Sequence, residues 1–256
     1  MTSALIGYTG FVGSNILAQK KFSSLYNSKN INSISGKSFD LVVCAGAPGV
    51  KWLANKEPRK DLASIKNLIS NLKKIKTKKF VLISTVDVYP SPINVYEDTP
   101  INSKKNHSYG QHRYLLEQFV RRQFPKSIII RLPGLFGINL KKNFIYDLIH
   151  HNALDLTHFD SKFQFYNLAN IYHDIQTAAK HSLTLVNFAT DPISVKEIAK
   201  KCFQIDFTNV TQNKPVSYDM KTKYAKHFGS SNDYLYTKST LLKEITQFAH
   251  QSKQSV

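Results

Sequence analysis

The chain has 256 residues, of which 42% are apolar, and a formal net charge of +18. That length can bury a substantial core, and apolar runs such as residues 41–47 and 128–130 are too short to span a bilayer. Two cysteines, Cys44 in an apolar run and Cys202 in a helical pattern, rule out a disulfide framework. Neither they nor the adjacent His150 and His151 have metal-ligand spacing, so no metal site is expected.

The first residues lead straight into a strand-like run, without a basic segment and a small-residue cleavage site, so a reducing cytoplasm is the expected location. The lysines are spread along the chain. Their densest group, Lys73, Lys74, Lys76, Lys78 and Lys79, is expected at a helix C-terminus facing water. Without a basic arm or an RNA motif, nucleic-acid binding is disfavoured. A basic surface nevertheless raises encounter rates with an anionic small molecule.

Residues 4–15 read as a strand, a loop and the start of a helix, with glycines at positions 7, 10 and 13. Glycine enters positive φ without a Cβ penalty and lets backbone N–H groups approach a pyrophosphate, and the helix that follows offers unpaired N–H groups and a positive dipole end. Gly7, Thr9, Gly10, Phe11, Val12 and Gly13 are therefore the candidate phosphate-side residues. The spacing G-x-x-G-x-x-G is one residue longer than the common dinucleotide fingerprint. A helix over residues 12–21 follows.

In a dinucleotide fold the second strand ends about 20 residues beyond the first glycine, on an acid that binds the adenosine ribose. This chain has Asn27, Ser28 and Lys29 there. With no carboxylate to repel it, a 2′-phosphate can pair with Lys29, which tilts the expectation from NAD toward NADP. Residues 39–49 read as a buried strand running into a small-residue loop, where Ala45, Gly46 and Ala47 leave room for a ligand.

A helix over residues 58–76 carries the apolar stripe Leu62, Ile65, Leu68, Ile69, Leu72 and Ile75. A strand over residues 79–84 leads into Ser84, Thr85, Asp87 and Tyr89. A polar loop, a helix over residues 108–123 and a strand over residues 127–132 complete the alternation. This pattern predicts an α/β fold, a doubly wound parallel sheet with helices on both sides and all strand C-termini on one edge. The glycine loop, the loop after Cys44, Ser84 to Tyr89 and the segment Leu132, Pro133 and Gly134 converge there.

Beyond residue 137 helices are expected at residues 143–150, 171–180, 194–202 and 239–249, the third N-capped by Ser194. Strands are expected at 162–168 and 184–189, and residues 206–233 lack periodicity. The expected organisation is a dinucleotide-binding domain over residues 1–137 and a smaller substrate-side region over 138–256, partly interleaved with it.

Tyr109 and Arg113 lie one helical turn apart on one face. A fixed cation beside a phenol stabilises its phenolate, and a hydroxyl from Ser84 or Thr85 can hydrogen-bond a reacting oxygen while the tyrosine moves the proton. Asp87 and Tyr89, near the same edge, are candidates to contact substrate.

Together, Gly7-x-x-Gly10-x-x-Gly13, Ser84-Thr85-x-x-Val88-Tyr89, Tyr109-Gly-x-x-Arg113 with Glu117, and Arg131-Leu-Pro-Gly-Leu-Phe-Gly137 resemble the extended short-chain dehydrogenase/reductases, specifically the NAD-dependent epimerase/dehydratase group acting on nucleotide sugars. The later stretches Ile171-Tyr-His-Asp-Ile-Gln-Thr-Ala, Val186-Asn-Phe-Ala-Thr and Ser194-Val-Lys-Glu-Ile-Ala resemble that group's substrate-side segments, so the likeness covers nearly the whole chain in order.

The resemblance implies a Rossmann-type fold with a small C-terminal substrate-binding region, and a nicotinamide cofactor, NAD(P), that contacts the strand-edge loops, Ser84 among them. It also implies Thr85 as hydroxyl partner, Tyr109 as acid/base, and Arg113 as the group that lowers the tyrosine pKa and holds the nicotinamide ribose. Its partners would be a sugar or nucleotide sugar and, as in other members of this superfamily, a second copy in a homodimer. The group carries lysine where this chain has Arg113, and the chain is short for a nucleotide-sugar epimerase.

Overall fold

The computed structural model describes residues 1–254. The chain divides into two compact units. The first comprises Met1–Ser91, Asp98–Leu132 and Ala169–Asn187, and the second Pro92–Glu97, Pro133–Leu168 and residues from Phe188 onward.

In chain order the elements begin with β1 (Ser3–Ile6), α1 (Phe11–Gln19), β2 (Ser24–Tyr26), β3 (Ser38–Cys44), α2 (Lys51–Lys56), α3 (Pro58–Leu72) and β4 (Lys76–Thr85). They continue with β5 (Ile93–Val95), α4 (Ser108–Gln123), β6 (Ser127–Leu132), β7 (Gly134–Phe136), α5 (Phe144–His150), β8 (Lys162–Phe163) and β9 (Phe165–Asn167). The last are α6 (Ile171–Lys180), β10 (Leu185–Asn187), β11 (Ile193–Ser194), α7 (Val195–Phe203), β12 (Asp219–Met220) and α8 (Lys238–Gln254).

The first unit is built on a six-stranded sheet in the order β10-β6-β4-β3-β1-β2, with every neighbouring pair parallel. Its strands are apolar where both faces are covered, and strand alternation divides the side chains between them. Ala4, Ile6, Val42, Cys44, Phe80, Leu82 and Ile129 pack in one core with Ile65, Leu68 and Leu72 of α3 and Leu116, Phe119 and Val120 of α4. Leu5, Val43, Val81 and Ile130, of opposite parity, are also buried. On α6 the Tyr172 N–H donates to Gln19 of α1 at 3.1 Å.

Numbered along the chain, the strand order is 2-1-3-4-5-6, and among the described residues no strand pairs outside β2. The dinucleotide-binding order 3-2-1-4-5-6 carries one more strand there. The chain after Tyr26 instead makes a short 3-10 turn over Ile31–Ile34 and enters β3 directly. The order still reverses between β1 and β3, and in open α/β sheets ligands bind outside the strand C-termini at such a switch point.

One expected element is corrected. The helix predicted to reach Lys76 ends at Leu72, and Lys76, Lys78 and Lys79 lie on β4. Only Lys73 and Lys74 follow the helix, so the lysine group is not at one helix end. The cause is non-local: β4 pairs with β3 from Ser38 opposite Lys76 onward, and Lys78 forms an ion pair with Asp40 at 2.7 Å. The helix α2 lies where no element was expected.

In the second unit, α5, α7 and α8 share a core that includes Phe136, Phe144, Ile198, Leu241 and Ile245. As expected, Ser194 caps α7, accepting from the Glu197 N–H at 3.2 Å. No helix among the described residues is long and apolar enough to cross a membrane.

Candidate functional site

The C-terminal ends of β1, β3, β4 and β6 lie along one edge, fixed by the registers Ile6 with Cys44, Cys44 with Leu82, and Thr85 with Leu132. At β1 the chain turns at Gly7, where φ is +86° and a Cβ would stand 2.4 Å from the Ala45 carbonyl oxygen. Only glycine meets both conditions. The Gly7 N–H donates to Tyr26 at 2.7 Å, and the Gly10 N–H donates back to Gly7 at 2.9 Å.

Helix α1 opens at Gly10, with no acidic residue in its first turn and no side chain among the described residues capping it. Its first N–H groups, at Phe11, Val12 and Gly13, therefore fit an anion. Thr9 and Gly10 are exposed. Asn27 directly follows β2, its amide donating to the Tyr8 hydroxyl at 3.3 Å and its carbonyl accepting from the Lys29 N–H at 2.9 Å. Ser28 and Lys29 are exposed beside it, and Ala45, Gly46 and Ala47 follow β3 half-buried.

The N-terminus of α4 is pressed against the loop after β4. At Gly110 a Cβ would stand 2.1 Å from the Asp87 carbonyl oxygen, so the helix can come this close only without a side chain there. Asn106 donates to the Asp87 and Val88 carbonyls at 2.8 and 3.0 Å, and the His107 ring accepts from the Gly110 N–H at 3.1 Å as the helix cap. The Tyr109 N–H donates to Asn55 of α2 at 2.9 Å. These contacts bring Tyr109 near the end of β4, where Thr85 favours the charged form of the phenol.

Around that pair stand Arg113, Asp87 and Lys51. The Arg113 guanidinium carbon lies 4.0 Å from the Tyr109 ring centroid. One terminal nitrogen donates to Asp61 and the other to the Pro48 carbonyl, while Nε is buried with no hydrogen-bond partner among the described residues. Asp61 also holds the His112 ring at 2.7 Å. Burial alone would raise the Asp61 carboxyl, but hydrogen bonds and charge from Arg113 and His112 outweigh it and hold the group below the ordinary carboxylate range.

Tyr109 goes the other way. Burial raises its phenol above the ordinary value, with Asp87 adding to the rise, and the opposing pull of Arg113, Thr85 and Lys51 does not cancel it. The Lys51 ammonium pairs with Asp87 Oδ1 at 2.6 Å, and Asp87 Oδ2 lies 3.5 Å from the Thr85 hydroxyl. His107 is held below its usual range by burial and by Lys51.

Two expected edge residues turn inward. Ser84 donates to Glu117 at 2.5 Å, and Glu117 also receives Arg131 Nε and Nη2 at 3.0 and 2.7 Å. Tyr89, expected to contact substrate, is 2% exposed; its hydroxyl accepts from Arg131 at 2.6 Å and from the Asn187 amide at 3.1 Å. Both hydroxyls belong to a buried polar cluster around Arg131, and its paired charges have their hydrogen bonds filled. Leu132 ends β6. Pro133 and Gly134 belong to the second unit, where β7 pairs with β9.

Sequence reasoning missed Lys51, Asn55, Asp61 and His112. The first two sit on α2, which was not expected, and Asp61 is 52 residues from Arg113. The second unit has a cleft of about 510 Å³ bordered by Lys162, Asp191, Glu197, Asp219, Tyr234 and Lys238.

The parallel sheet, its switch point and the glycine turn define a Rossmann-type α/β protein. Over the whole length, the fold is that of several solved structures. UDP-galactose 4-epimerase superposes with a TM-score of 0.74 at 14% identity, covering 100% of both chains. dTDP-4-dehydrorhamnose reductase from Bacillus anthracis, solved with NADP, gives 0.76 at 17% identity, covering 98% of this chain and 99% of the other. An NAD-dependent NDP-hexosamine 5,6-dehydratase of tunicamycin biosynthesis gives 0.73 at 15% identity, covering 99% and 98%. At such identities the likeness is one of fold, and at that level it agrees with the resemblance read from the sequence. No family model and no curated protein sequence matches the chain.

Proposed function

We propose that this chain is an NAD(P)-dependent oxidoreductase, epimerase or dehydratase of the cytoplasm that acts on a sugar or nucleotide sugar, with Tyr109 as acid/base. The observation that carries the reading is the strand edge that runs from the uncapped glycine loop to Thr85, opposite Leu132, with the buried Tyr109 and the Arg113 guanidinium over its ring.

In this reading the loop from Gly7 to Gly13 holds the pyrophosphate, Asn27, Ser28 and Lys29 face the adenosine ribose, and Ala45 to Ala47 with Leu132 line the edge. A bound nicotinamide dinucleotide supplies hydride acceptance and return. Thr85 hydrogen-bonds the substrate oxygen, and Tyr109 gives or takes its proton. The buried Nε of Arg113 is a donor suited to a ribose hydroxyl. Lys29, exposed beside Asn27, favours NADP, and the basic surface favours an anionic substrate such as a nucleotide sugar.

Thermal unfolding in the presence of each of the four nicotinamide dinucleotides tests the binding half, since a ligand at 100 times its Kd adds about 2.7 kcal/mol. If none of the four raises the midpoint, the reading fails. A screen of nucleotide sugars and carbonyl compounds tests the chemical half: Tyr109→Phe is expected to keep cofactor binding and to lose turnover by roughly 10²- to 10⁴-fold.

A second reading, a non-catalytic dinucleotide-binding sensor or scaffold, is favoured by one observation: both terminal nitrogens of Arg113 are engaged within the protein. It predicts binding without turnover, and no difference between wild type and Tyr109→Phe.

A further inference from the structure

In a parallel sheet with helical crossovers a strand begins where a helix has just ended, so strand N-termini and helix C-termini share one edge. In the first unit that edge, opposite the candidate site, is basic. Lys20 and Lys21 follow α1 on the way into β2, and Lys73 and Lys74 follow α3 on the way into β4. Arg121 and Arg122 lie in the last turn of α4, and Lys126 stands just before β6. At the centre, β4 opens with Lys76 opposite Ser38 of β3 and carries Lys78 and Lys79. All of these cations but Lys20 are exposed.

Helix dipoles account for cations at helix ends, but not for three on a strand. Nor do the acids of the unit offset them. Asp61, Glu117 and Asp174 are buried, while Glu57 stands before the first turn of α3 and Asp87 follows β4, at the other end of the sheet. Asp40 is the carboxylate that reaches the basic edge, paired with Lys78 at 2.7 Å and accepting from the Thr2 N–H at 2.8 Å. Among the described residues Lys73, Lys74, Lys76 and Lys79 have no such partner. Like charges left together in this way repel, and an anionic surface laid against them relieves the repulsion.

We propose that this edge is a docking surface for an anionic lipid bilayer. Its cations extend from β2 to β6, five neighbouring strands at about 4.8 Å spacing, so they spread over about 20 Å. Most are lysines, point charges on flexible stems, which suit a diffuse layer of headgroups. Nucleic-acid recognition draws instead on arginine forks, helix N-termini and stacked aromatics. Here the helices present their C-terminal carbonyls, and Phe22, Phe39 and Phe124 are buried or half-buried. The contact is peripheral, since no helix among the described residues is long and apolar enough to cross a membrane. Docked this way, the first unit holds Thr85, at the far end of β4, about 30 Å from the lysine that opens the strand. The inference does not depend on the cofactor or on the role of Tyr109.

The test is sedimentation of the full chain with large unilamellar vesicles of phosphatidylcholine containing about 30% phosphatidylserine, at about 0.1 M salt. The chain is expected to bind these vesicles and not vesicles of phosphatidylcholine alone, and to be released as salt approaches about 1 M and the Debye length shrinks to about 3 Å. A variant with Lys73→Gln, Lys74→Gln, Lys76→Gln and Lys79→Gln is expected to partition at least tenfold more weakly, because each lysine near an anionic surface is worth about fivefold. Arginine at the same four positions keeps the binding. Lys104→Gln, Lys105→Gln, Lys226→Gln and Lys243→Gln remove the same charge from exposed positions off the edge, and are expected to change the partition less than about threefold. The substituted side chains are all exposed, so each variant is expected to keep the parent's unfolding midpoint. Equal losses in the two glutamine variants would overturn the proposal, as would equal binding to both kinds of vesicle or to neither. So would a duplex DNA oligonucleotide that, at the same salt, binds more tightly than the vesicles and strips the chain from them.

Discussion

Replacing Gly13 by alanine puts a methyl group 2.0 Å from the Gly7 carbonyl oxygen and 2.7 Å from its carbon, both backbone atoms that no rotamer change can clear. The main chain must open by more than an ångström, so the cost is that of overpacking, about 2–3 kcal/mol of stability without any ligand. At Gly7 the same change adds about 1–2 kcal/mol of left-handed strain to a contact of 2.4 Å with Ala45. Gly10 differs: its φ is −79°, it is exposed, and a Cβ there meets only the Gly7 carbonyl oxygen at 3.3 Å. Alanine at this helix-capping position costs no more than about 1 kcal/mol in the free protein. If a pyrophosphate lies over the opening of α1, however, the added methyl sits between it and the N–H groups, and affinity falls at least tenfold, about 1.4 kcal/mol. Urea unfolding without ligand, with m-values compared, separates the stability effects, and titration calorimetry with NAD and NADP reads the affinity. A Gly10→Ala variant that binds dinucleotide as tightly as the parent would refute the placement. A Gly13→Ala variant as stable as the parent would refute the packing argument.

Glu117→Gln leaves Arg131, 1% exposed, without its counter-ion and is expected to destabilise the first unit by roughly 3–5 kcal/mol with an unchanged m-value; a loss below about 1 kcal/mol counts against the buried pair. Asp61 titrates lower in the folded than in the unfolded chain. Its contribution is therefore complete above the unfolded carboxyl value of about 3.9 and is lost as pH falls through the folded one. Unfolding free energies measured down this acid range should fall more steeply for the parent than for Asp61→Asn, and equal slopes would contradict it. Lys29→Glu is expected to weaken NADP binding and leave NAD binding nearly unchanged. Equal losses for both cofactors would remove Lys29 from the 2′-phosphate.

Much of the first unit was legible because its strands are buried on both faces, and such strands are continuous apolar runs: β6 and α6 fall where the pattern put them. Ser194 announced α7 because a hydroxyl just before an apolar-periodic run can satisfy an orphan N–H. The edge of the sheet beyond β2 was not legible, since strand order depends on pairing between distant segments. Nor was α2: six residues are too few to form a helix by propensity, and this one gains from a tertiary bond, Asn55 to the Tyr109 N–H. The lysines of β4 misled for a related reason. Their charge suits a helix C-terminus, but the backbone bonds offered by β3 decide the conformation.

The site divides in the same way. That Tyr109 and Arg113 share a face follows from helical spacing alone, but spacing says nothing of which part of the tyrosine the cation meets. The answer comes from Asp61 and Pro48, far earlier in the chain, which draw the guanidinium across the ring. Strand parity also settles which hydroxyl of the Ser84 and Thr85 pair turns inward. Ser84 has the parity of Phe80 and Leu82, which face the α4 side, and there Glu117 stands among Leu116, Phe119 and Val120. Tyr89 is drawn inward by Arg131, a charge that needs several partners once it is buried. A cation that follows a tyrosine by four residues is thus weak evidence for what it does to that tyrosine. Its effect depends on where the carboxylates lie, and here Asp61 holds Arg113 while Asp87 holds Lys51.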